Sequence, residues 1–552
     1  MNRKLKIGLL LDSYQVPVWF GYMIEKIIEE GFAEISLLVL NQSEKKQKKI
    51  LFRILSGLNT LIFRVFYSFE NRMFKVKPDA LKTVNIKEIL PNVPTIQVTP
   101  LKTLYSDYFQ KTDLDTLQTY NLDLFIRKGF RILRGKILTS CPLRIWSFHH
   151  GDTHAFRGGP PAFWEVMKND PVTGCVLQIL TEDLDNGIIL SKGYASTDRM
   201  SVKKNRNNIY WKSAEMIPRK LKEIHRGSFY PDFNNVLSRD YLLYPLSINK
   251  VPGNSTMLPL LLGHAIRILR KKIRHQFFID QWILMFDLRK NNTSYFRPLS
   301  RFKKIIPPSD RFWADPHLVH ENGRYYVFFE ELFYKNNKGH ISYFEILENG
   351  NCTAPIKILE KEYHLAYPFV FKYQNIWYMI PDSLHNQTIE CYKCDSFPEK
   401  WSFHTNLMEN VPALDSTLHF KDDKWWLFTN IKANLGASTW DELHLFYSDS
   451  PFGKWNAHPK NPIVTDVRKA RPAGKLMQVG NDLLRPSQDC SVKYGYGMTM
   501  HKIHVMNENE YIEEEIHKIH PTWDPAITAV HTRNTEGNLT VIDAQRRRFR
   551  WL

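Results

Sequence analysis

Five times in its C-terminal half this chain repeats one phrase: a short aromatic strand, a polar turn and a second strand. The phrases begin at Asp315 (DPHLVHENGRYYVFF), Pro368 (PFVFKYQNIWYMI), Asp415 (DSTLHFKDDKWWLF), Pro472 (PAGKLMQVGNDLLR) and Ala529 (AVHTRNTEGNLTVI), in steps of 53, 47, 57 and 57 residues. Four short strands with their turns occupy about 40–50 residues, the size of one propeller blade. Five phrases therefore predict a five-bladed β-propeller. The last phrase runs nearly to Leu552 and leaves no room for four strands. In this reading an upstream strand such as Gln281 to Leu288 (QWILMFDL) completes that blade and closes the ring. Closure removes the open sheet edges.

The N-terminal half has another texture. Lys4 to Leu11 reads as an apolar strand, Asp12–Gln15 as a turn, Trp19 to Glu30 as an amphipathic helix, and Ile35 to Leu40 as a second strand. Gly31 ends the helix, because glycine takes the left-handed conformation without steric cost. Strand, helix, strand at this spacing is a βαβ unit, which predicts a parallel α/β sheet. Asp123 to Lys128 (DLFIRK) and Arg144 to His149 (RIWSFH) add two strands. Ligand crevices in such sheets lie off the carboxyl ends of the strands, and RIWSFH runs into a polar cluster at that end. The expected fold is an α/β parallel-sheet domain (1–225), a basic helical linker (226–280) and an all-β five-bladed propeller (281–552).

At 552 residues the chain exceeds one ordinary compact domain. With 43% hydrophobic and 24% charged residues, global disorder is excluded. The 13% aromatic content favours strands and carbohydrate-facing surfaces. Seventy-five basic against 57 acidic residues leave a net charge of +18. Either this is a basic solvated surface, or it serves anionic partners: phosphorylated substrates, nucleic acid or an anionic membrane. Two stretches concentrate the basic residues among bulky apolar ones, 45–77 and 257–290. The first is read as a helix packed on the protein and the second as a linker or docking helix. Peripheral membrane contact through both is the alternative. Six cysteines in a chain this long make no disulfide framework, and the lone pair Cys391/Cys394 lacks a second ligand pair for zinc. The first residues do not form a signal peptide, and no apolar run reaches the roughly 18 residues a membrane span needs. The expected location is the cytoplasm, with membrane association through the two basic stretches.

The chemistry concentrates in 147–190, SFHHGDTHAFRGGPPAFWEVMKNDPVTGCVLQILTEDLDNGIIL. This segment resembles the formyltransferase family, which includes methionyl-tRNA, glycinamide ribonucleotide and sugar N-formyltransferases. The family phrase is Asn-x-His at a strand end, Arg-Gly some eight residues on, Thr-Gly, then Asp-x-Gly. Here His149 precedes Arg157 by 8, Thr173-Gly174 follow, and Asp185-Asn186-Gly187 supply the last element, 36 residues after His149. The upstream piece DLFIRKGFRILRGKIL looks like the family's strand and folate-side loop. The resemblance covers residues 1–225 and is most specific over 123–190. It implies formyl-tetrahydrofolate as formyl donor, with Phe130, Arg131, Ile132, Leu133 and Thr181 on the donor side. It makes His149 the base that takes the amine proton and Asp185 the carboxylate that orients it. Ser147 stands where the family has Asn. Serine is a shorter donor, so the oxyanion is expected to be held differently, with help from His150 or Asp152. His150, Asp152 and Arg157 are the substrate-side residues.

The C-terminal half does not look like the small tRNA-gripping barrel of methionyl-tRNA formyltransferases, so no nucleic acid is expected. Its phrases FWADPHLVHENGRYYVFFEE (312–331) and GHISYFEI (339–346) resemble furanosidase-type propellers, and more closely the N-terminal domain of plant glucosamine inositolphosphorylceramide transferases. Together the resemblances imply formyl transfer to an amino sugar, nucleotide-linked or glycolipid-linked, in surface glycan biosynthesis. Asp315 and Asp415 are the propeller's substrate candidates, with Glu330, Glu331, His531 and Asp543 nearby. Two other readings stand beside this one: a glycan-binding protein with a degenerate formyltransferase domain, and glycosidase or glycosyltransferase chemistry carried by paired carboxylates in the propeller.

Overall fold

The computed structural model describes residues 3–43, 58–153, 155–182, 187–231, 248–289 and 298–551. It divides into two compact units: Met1–Ile268 with Ala433–Ala437, and Leu269–Lys432 with Ser438–Leu552.

In the first unit β1 (Leu5–Leu11), α1 (Val18–Glu30) and β2 (Ala33–Asn41) form the expected βαβ start. Gly31 ends α1 at φ 75, its N–H on the Ile28 carbonyl. There follow α2 (Leu61–Met73), β3 (Thr95–Val98), β4 (Leu124–Arg127), β5 (Ile145–His149), β6 (Val172–Ile179), β7 (Ile188–Ser196), α3 (Val202–Ser213), α4 (Met216–His225) and α5 (Asn254–Phe277). One seven-stranded sheet has the order β7-β6-β5-β4-β1-β2-β3. The run β5-β4-β1-β2-β3 is parallel, as expected. The last two strands, β6 and β7, are antiparallel. The connection between β6 and β7, residues 180–187, is too short for a parallel crossover. Trp19, Phe20, Met23, Ile24 and Ile27 of α1 are buried against one face, and Leu10, Leu37, Val39, Phe125 and Ile145 face a second core on the other. Apolar burial on both faces explains the near-continuous hydrophobic runs of β1 and β2.

The second unit contains five sheets, one per repeated phrase. Its defining strands are β8 (Phe278–Leu288), β9 (Arg311–Glu321), β10 (Ala366–Tyr373), β11 (Ala413–Lys421), β12 (Met477–Val479) and β13 (Leu539–Phe549). Four blades are consecutive four-stranded meanders. The fifth joins the two ends of the unit: β8 pairs antiparallel with β13 from Phe278↔Phe549 to Leu288↔Leu539, with Lys303–Ile305 outside β8 and Ile527–Ala529 inside β13. The closing strand foreseen from Gln281 is therefore present and begins at Phe278. Asp315 (φ 52), Tyr367 (φ 43) and Asp415 (φ 52) occupy the same place in β9, β10 and β11, where the pairing register shifts. A left-handed backbone at a non-glycine residue, repeated at the same bulge in three blades, turns those three side chains out of the regular alternation.

The closure yields a test. A chain stopped at Gly537 loses β13, which strips β8 of its long partner, leaving it only Lys303–Ile305, and leaves Ile527–Ala529 unpaired. It is expected to lose the propeller's cooperative thermal transition and to aggregate, whereas a single Val541→Ala should only lower the midpoint. A truncated chain that melts like the full one would contradict this account.

Candidate active site

The crevice of the first unit is built where the chain crosses the carboxyl end of β1. Lys128 and Gly129 donate to the Leu10 carbonyl, and Phe130 N–H donates to Asp12 Oδ1 at 2.8 Å. A Cβ at Gly129 would stand 2.3 Å from Asp12 N, so the approach requires glycine. Asn41, ending β2, also donates to Asp12 Oδ1 at 3.0 Å. Arg127, the last residue of β4, spans the gap to β5. It donates to Ser147 Oγ at 3.2 Å and to the carbonyls of Phe130 and Arg131 at 3.0 and 2.8 Å.

His149 ends β5 beside this crossing. Its Nε2 lies 3.2 Å from the Phe156 carbonyl, which fits a ring protonated at Nε2 and donating there. Among the described residues Nδ1 meets no hydrogen-bond partner, which leaves its lone pair available as a base. Asp185, its expected partner in the β6–β7 connection, lies outside the described residues. Ser147 is buried at 3% exposure beneath Arg127. There its Oγ accepts from Arg127, the same side chain that holds the 130–131 carbonyls. His150 departs from expectation. Its ring stacks on Tyr210 at 3.8 Å, meets Trp19 edge-on and places Nε2 3.0 Å from Ser213 Oγ. Burial, with His149 and Lys128 adding, keeps it well below the ordinary histidine range. It is a neutral wall of the crevice, and that nitrogen is not offered to a substrate.

The Arg157-Gly158-Gly159 loop is stitched to Asn249, which donates to the Arg157 carbonyl and accepts from Gly159 N–H. Gly158 sits at φ 84, and a Cβ there would be 2.2 Å from the Asn249 carbonyl oxygen. Asp152 accepts backbone N–H groups from Ala155 and Phe156 through its carbonyl and packs against Gly174. The donor-side residues divide. Phe130 and Leu133 are core residues, and Arg131 is clamped on Asp107 through backbone and guanidinium (2.7–2.9 Å). Ile132 is half-buried in a short strand, and Thr181 precedes Glu182, whose Oε1 accepts Gly135 N–H at 2.8 Å. This places Thr181 next to the residue that holds Gly135.

The propeller holds a second cavity of about 580 Å³, walled by Trp282, Phe312 and Tyr494 and floored by Asp315, Glu330 and Asp382. Asp315 Oδ1 accepts from Thr532 at 3.0 Å and faces His531, which pairs with Asp543 at 2.6 Å and stacks on Trp282 at 4.0 Å. Burial alone would lower His531, but Asp543 and Asp315 push it up to about 9. Glu330 pairs with His364 at 3.2 Å. Asp415, expected to meet substrate, instead sits one step behind the wall. Its carboxylate is taken by Arg471 at 2.5 and 3.1 Å and by Gln488 at 3.0 Å, and it is Arg471 that reaches the cavity. Glu331 is likewise structural, held down to about 2 against its burial by His340, Trp313, Arg311 and Ser342. Burial raises both Asp315 and Asp382, with neighbouring acids adding. Asp382, His364, Arg471 and Tyr494 carried no signal in the sequence, since each lies outside the strand phrase that marks its blade.

Residues 302–524 match the family model described as glucosamine inositolphosphorylceramide transferase 1, N-terminal. Glucosamine inositolphosphorylceramide transferase 1 of Oryza sativa subsp. japonica is 35% identical over 205 residues, 37% of this chain and 27% of the relative. Methionyl-tRNA formyltransferase of Synechococcus sp. (strain CC9311) is 31% identical over 91 residues, 14% of this chain and 27% of the relative. The chain thus spans about a quarter of the length of the curated relatives it matches. Glycinamide ribonucleotide transformylase 1 from Symbiobacterium toebii superposes with a TM-score of 0.28 at 17% identity, covering 42% of this chain and 93% of that one. The chain joins a formyltransferase-like domain to a propeller of the glucosamine inositolphosphorylceramide transferase N-terminal type.

Beside the formyltransferase-like crevice lies one acid the sequence did not flag. Glu165 is 2% exposed; burial pushes it up to about 7, and Asp170 and Asp152 add to this. Its ordinary value is 4.5. Between the two values the folded chain carries the extra proton, so stability falls as pH rises from about 4.5 to about 7 and stays lowered above it. The loss is on the order of 3 kcal/mol. Glu165→Gln stays neutral and is expected to melt above wild type at pH 8, with the gap nearly closed at pH 5. Parallel melting curves at the two pH values would refute the assignment.

Proposed function

We propose that the chain is an N-formyltransferase that passes a formyl group from formyl-tetrahydrofolate to the amine of an amino sugar. The observation that carries this reading is His149 at the carboxyl edge of the sheet, its Nε2 pinned to the Phe156 carbonyl and Nδ1 left as a base. The match to transferases named for glucosamine supports an amino sugar as acceptor.

The crevice fits a donor. Thr153 Oγ1, in the loop that caps His149, is buried without a hydrogen-bond partner among the described residues, which offers a bound donor a hydroxyl to meet. When bound, formyl-tetrahydrofolate supplies the one-carbon acyl group. Arg127 fixes the 130–131 backbone on the donor side, and the 157–159 loop closes the other side. His149 Nδ1 takes the proton that the attacking amine sheds, and Asp185 balances the imidazolium.

The propeller cavity recognises the sugar. Trp282 and Tyr494 offer flat apolar faces, and the raised Asp315 and Asp382 gain from a neighbouring cation. An ammonium sugar supplies that cation. Raised acids ionise late, so affinity for the ammonium form rises from pH 6 to pH 8, as long as the amine itself stays protonated.

Two measurements test the reading. Turnover of formyl-tetrahydrofolate with nucleotide-linked amino sugars should fall by about 10²-fold or more in His149→Ala, while calorimetry still shows sugar binding. Turnover that survives the substitution would overturn it. Separately, the amino sugar should bind the propeller about tenfold more tightly than its N-formyl counterpart, and Asp382→Asn should erase that preference. Equal affinities in wild type would remove the ammonium reading.

A further inference from the structure

Helix α5 is amphipathic in an unusual sense: its buried side is the narrow one. Only Met257 and His264 of its 24 residues are buried. Met257 joins Phe63 and Phe66 of α2 with Phe163 and Val166, while Asn254 bonds the start of α2 and Arg267 reaches the carbonyls of Val166 and Met167. These contacts anchor the N-terminal half. On the opposite side Leu258, Leu262, Ile266, Leu269, Ile273 and Phe277 recur every three or four residues and are 40–64% exposed. That spacing places them on one continuous face. Arg270 and Lys272 border the stripe on its two sides, with Arg274 a step further round, and α5 contains no acidic residue.

Helix α2 repeats the pattern. Leu61, Val65, Phe69 and Met73 stand four residues apart, 47–61% exposed, with Arg64 and Arg72 beside them. Its one acid, Glu70, is turned inward onto Ser201 Oγ at 2.8 Å and Lys203 N–H. The exposed surface of both helices therefore carries no acid: it is apolar, cationic or neutral polar.

We infer that α5 presents an interfacial docking face for an anionic lipid bilayer, and that the exposed face of α2 carries a second one of the same kind. An isolated exposed leucine means little, but an uninterrupted apolar stripe with basic borders is the form that buries its apolar side at the headgroup–acyl boundary and pairs its cations with lipid phosphates. No described helix is long and apolar enough to cross a membrane, so the helices lie on the surface. Charge selects the occupant: a second copy of this face would bring cations against cations. The reading of α2 as packed on the protein holds for Phe63 and Phe66, and its other face makes the lipid contact. Residues 44–57, the first part of that basic stretch, lie outside the described residues, as does residue 290 at the end of the other.

The test is sedimentation of the full chain with vesicles of phosphatidylcholine alone or with about 30% phosphatidylserine. Wild type is expected to bind the anionic vesicles, more weakly as salt rises, and to leave neutral ones largely free. Leu262→Glu with Leu269→Glu should lower binding by about tenfold or more with an unchanged circular dichroism spectrum, the positions being exposed. Arg270→Glu with Lys272→Glu should lower binding to anionic vesicles alone. The inference is overturned if wild type fails to sediment with either vesicle, if the leucine pair has no effect, or if light scattering shows a dimer that the leucine pair abolishes, which would make a second copy the occupant. Salt and lipid dependence of wild type stand as the readout should a variant misfold. None of this rests on formyl transfer, so a failed turnover assay leaves it standing.

Discussion

Gly129 crosses the end of β1 at a distance no side chain tolerates, and the first unit's crevice follows from that crossing. Once the backbone is so close, its polar groups must find partners at once. Asp12 takes the Phe130 N–H, Asp107 takes Arg131, and Arg127 donates to the carbonyls between them. Arg127 reaches those carbonyls because its neighbour on β5 is Ser147, small enough to lie under a guanidinium and still accept from it. The substitution that looks from sequence like a weakened oxyanion donor is part of this clamp. His149, two residues on, inherits its position from a strand held on one side by Arg127 and on the other by pairing with Val176.

A comparable economy governs the propeller. The same bulge recurs in β9, β10 and β11, yet it presents Asp315, Tyr367 and Asp415. One backbone geometry therefore serves three purposes. Tyr367 binds the wall together through Thr417 and Gly474 N–H. Asp415 anchors Arg471. Asp315 remains in the cavity, with a hydroxyl on one oxygen and a charged imidazole behind it. Strain of this kind persists only where the surroundings over-determine it, and here each residue is bonded across to another blade.

The sequence announced whatever is local and periodic. The repeat marked the five blades because each blade is a contiguous meander, and the closing strand followed from the last phrase's shortness. The β1–α1–β2 unit was legible from apolar runs and one glycine. The antiparallel β6–β7 edge was not, since a strand's direction is set by its connection rather than by its composition. Site residues divide along the same line. His149 and the 157–159 loop belong to one compact phrase and were found together. Arg127, Glu165, Asp382 and Arg471 act through partners 20 to 56 residues away or through burial, neither of which leaves a pattern in the chain. Asp415 was misassigned because a strand-initial acid looks the same whether it faces a cavity or an arginine.

The two sites ask opposite things of one chemical group. Under the proposed function an amine must shed its proton to attack an acyl carbon, and His149 is the side chain that takes it. The propeller's raised acids favour the same amine as a cation. No single nitrogen satisfies both at once, so within the proposed function the cavity holds the acceptor before transfer or through a second amine, never through the nitrogen that is reacting. Within the proposed function, formylation removes the charge for good. It thereby removes the carboxylates' preference for that sugar, and the product is weakly held where its precursor was tightly held.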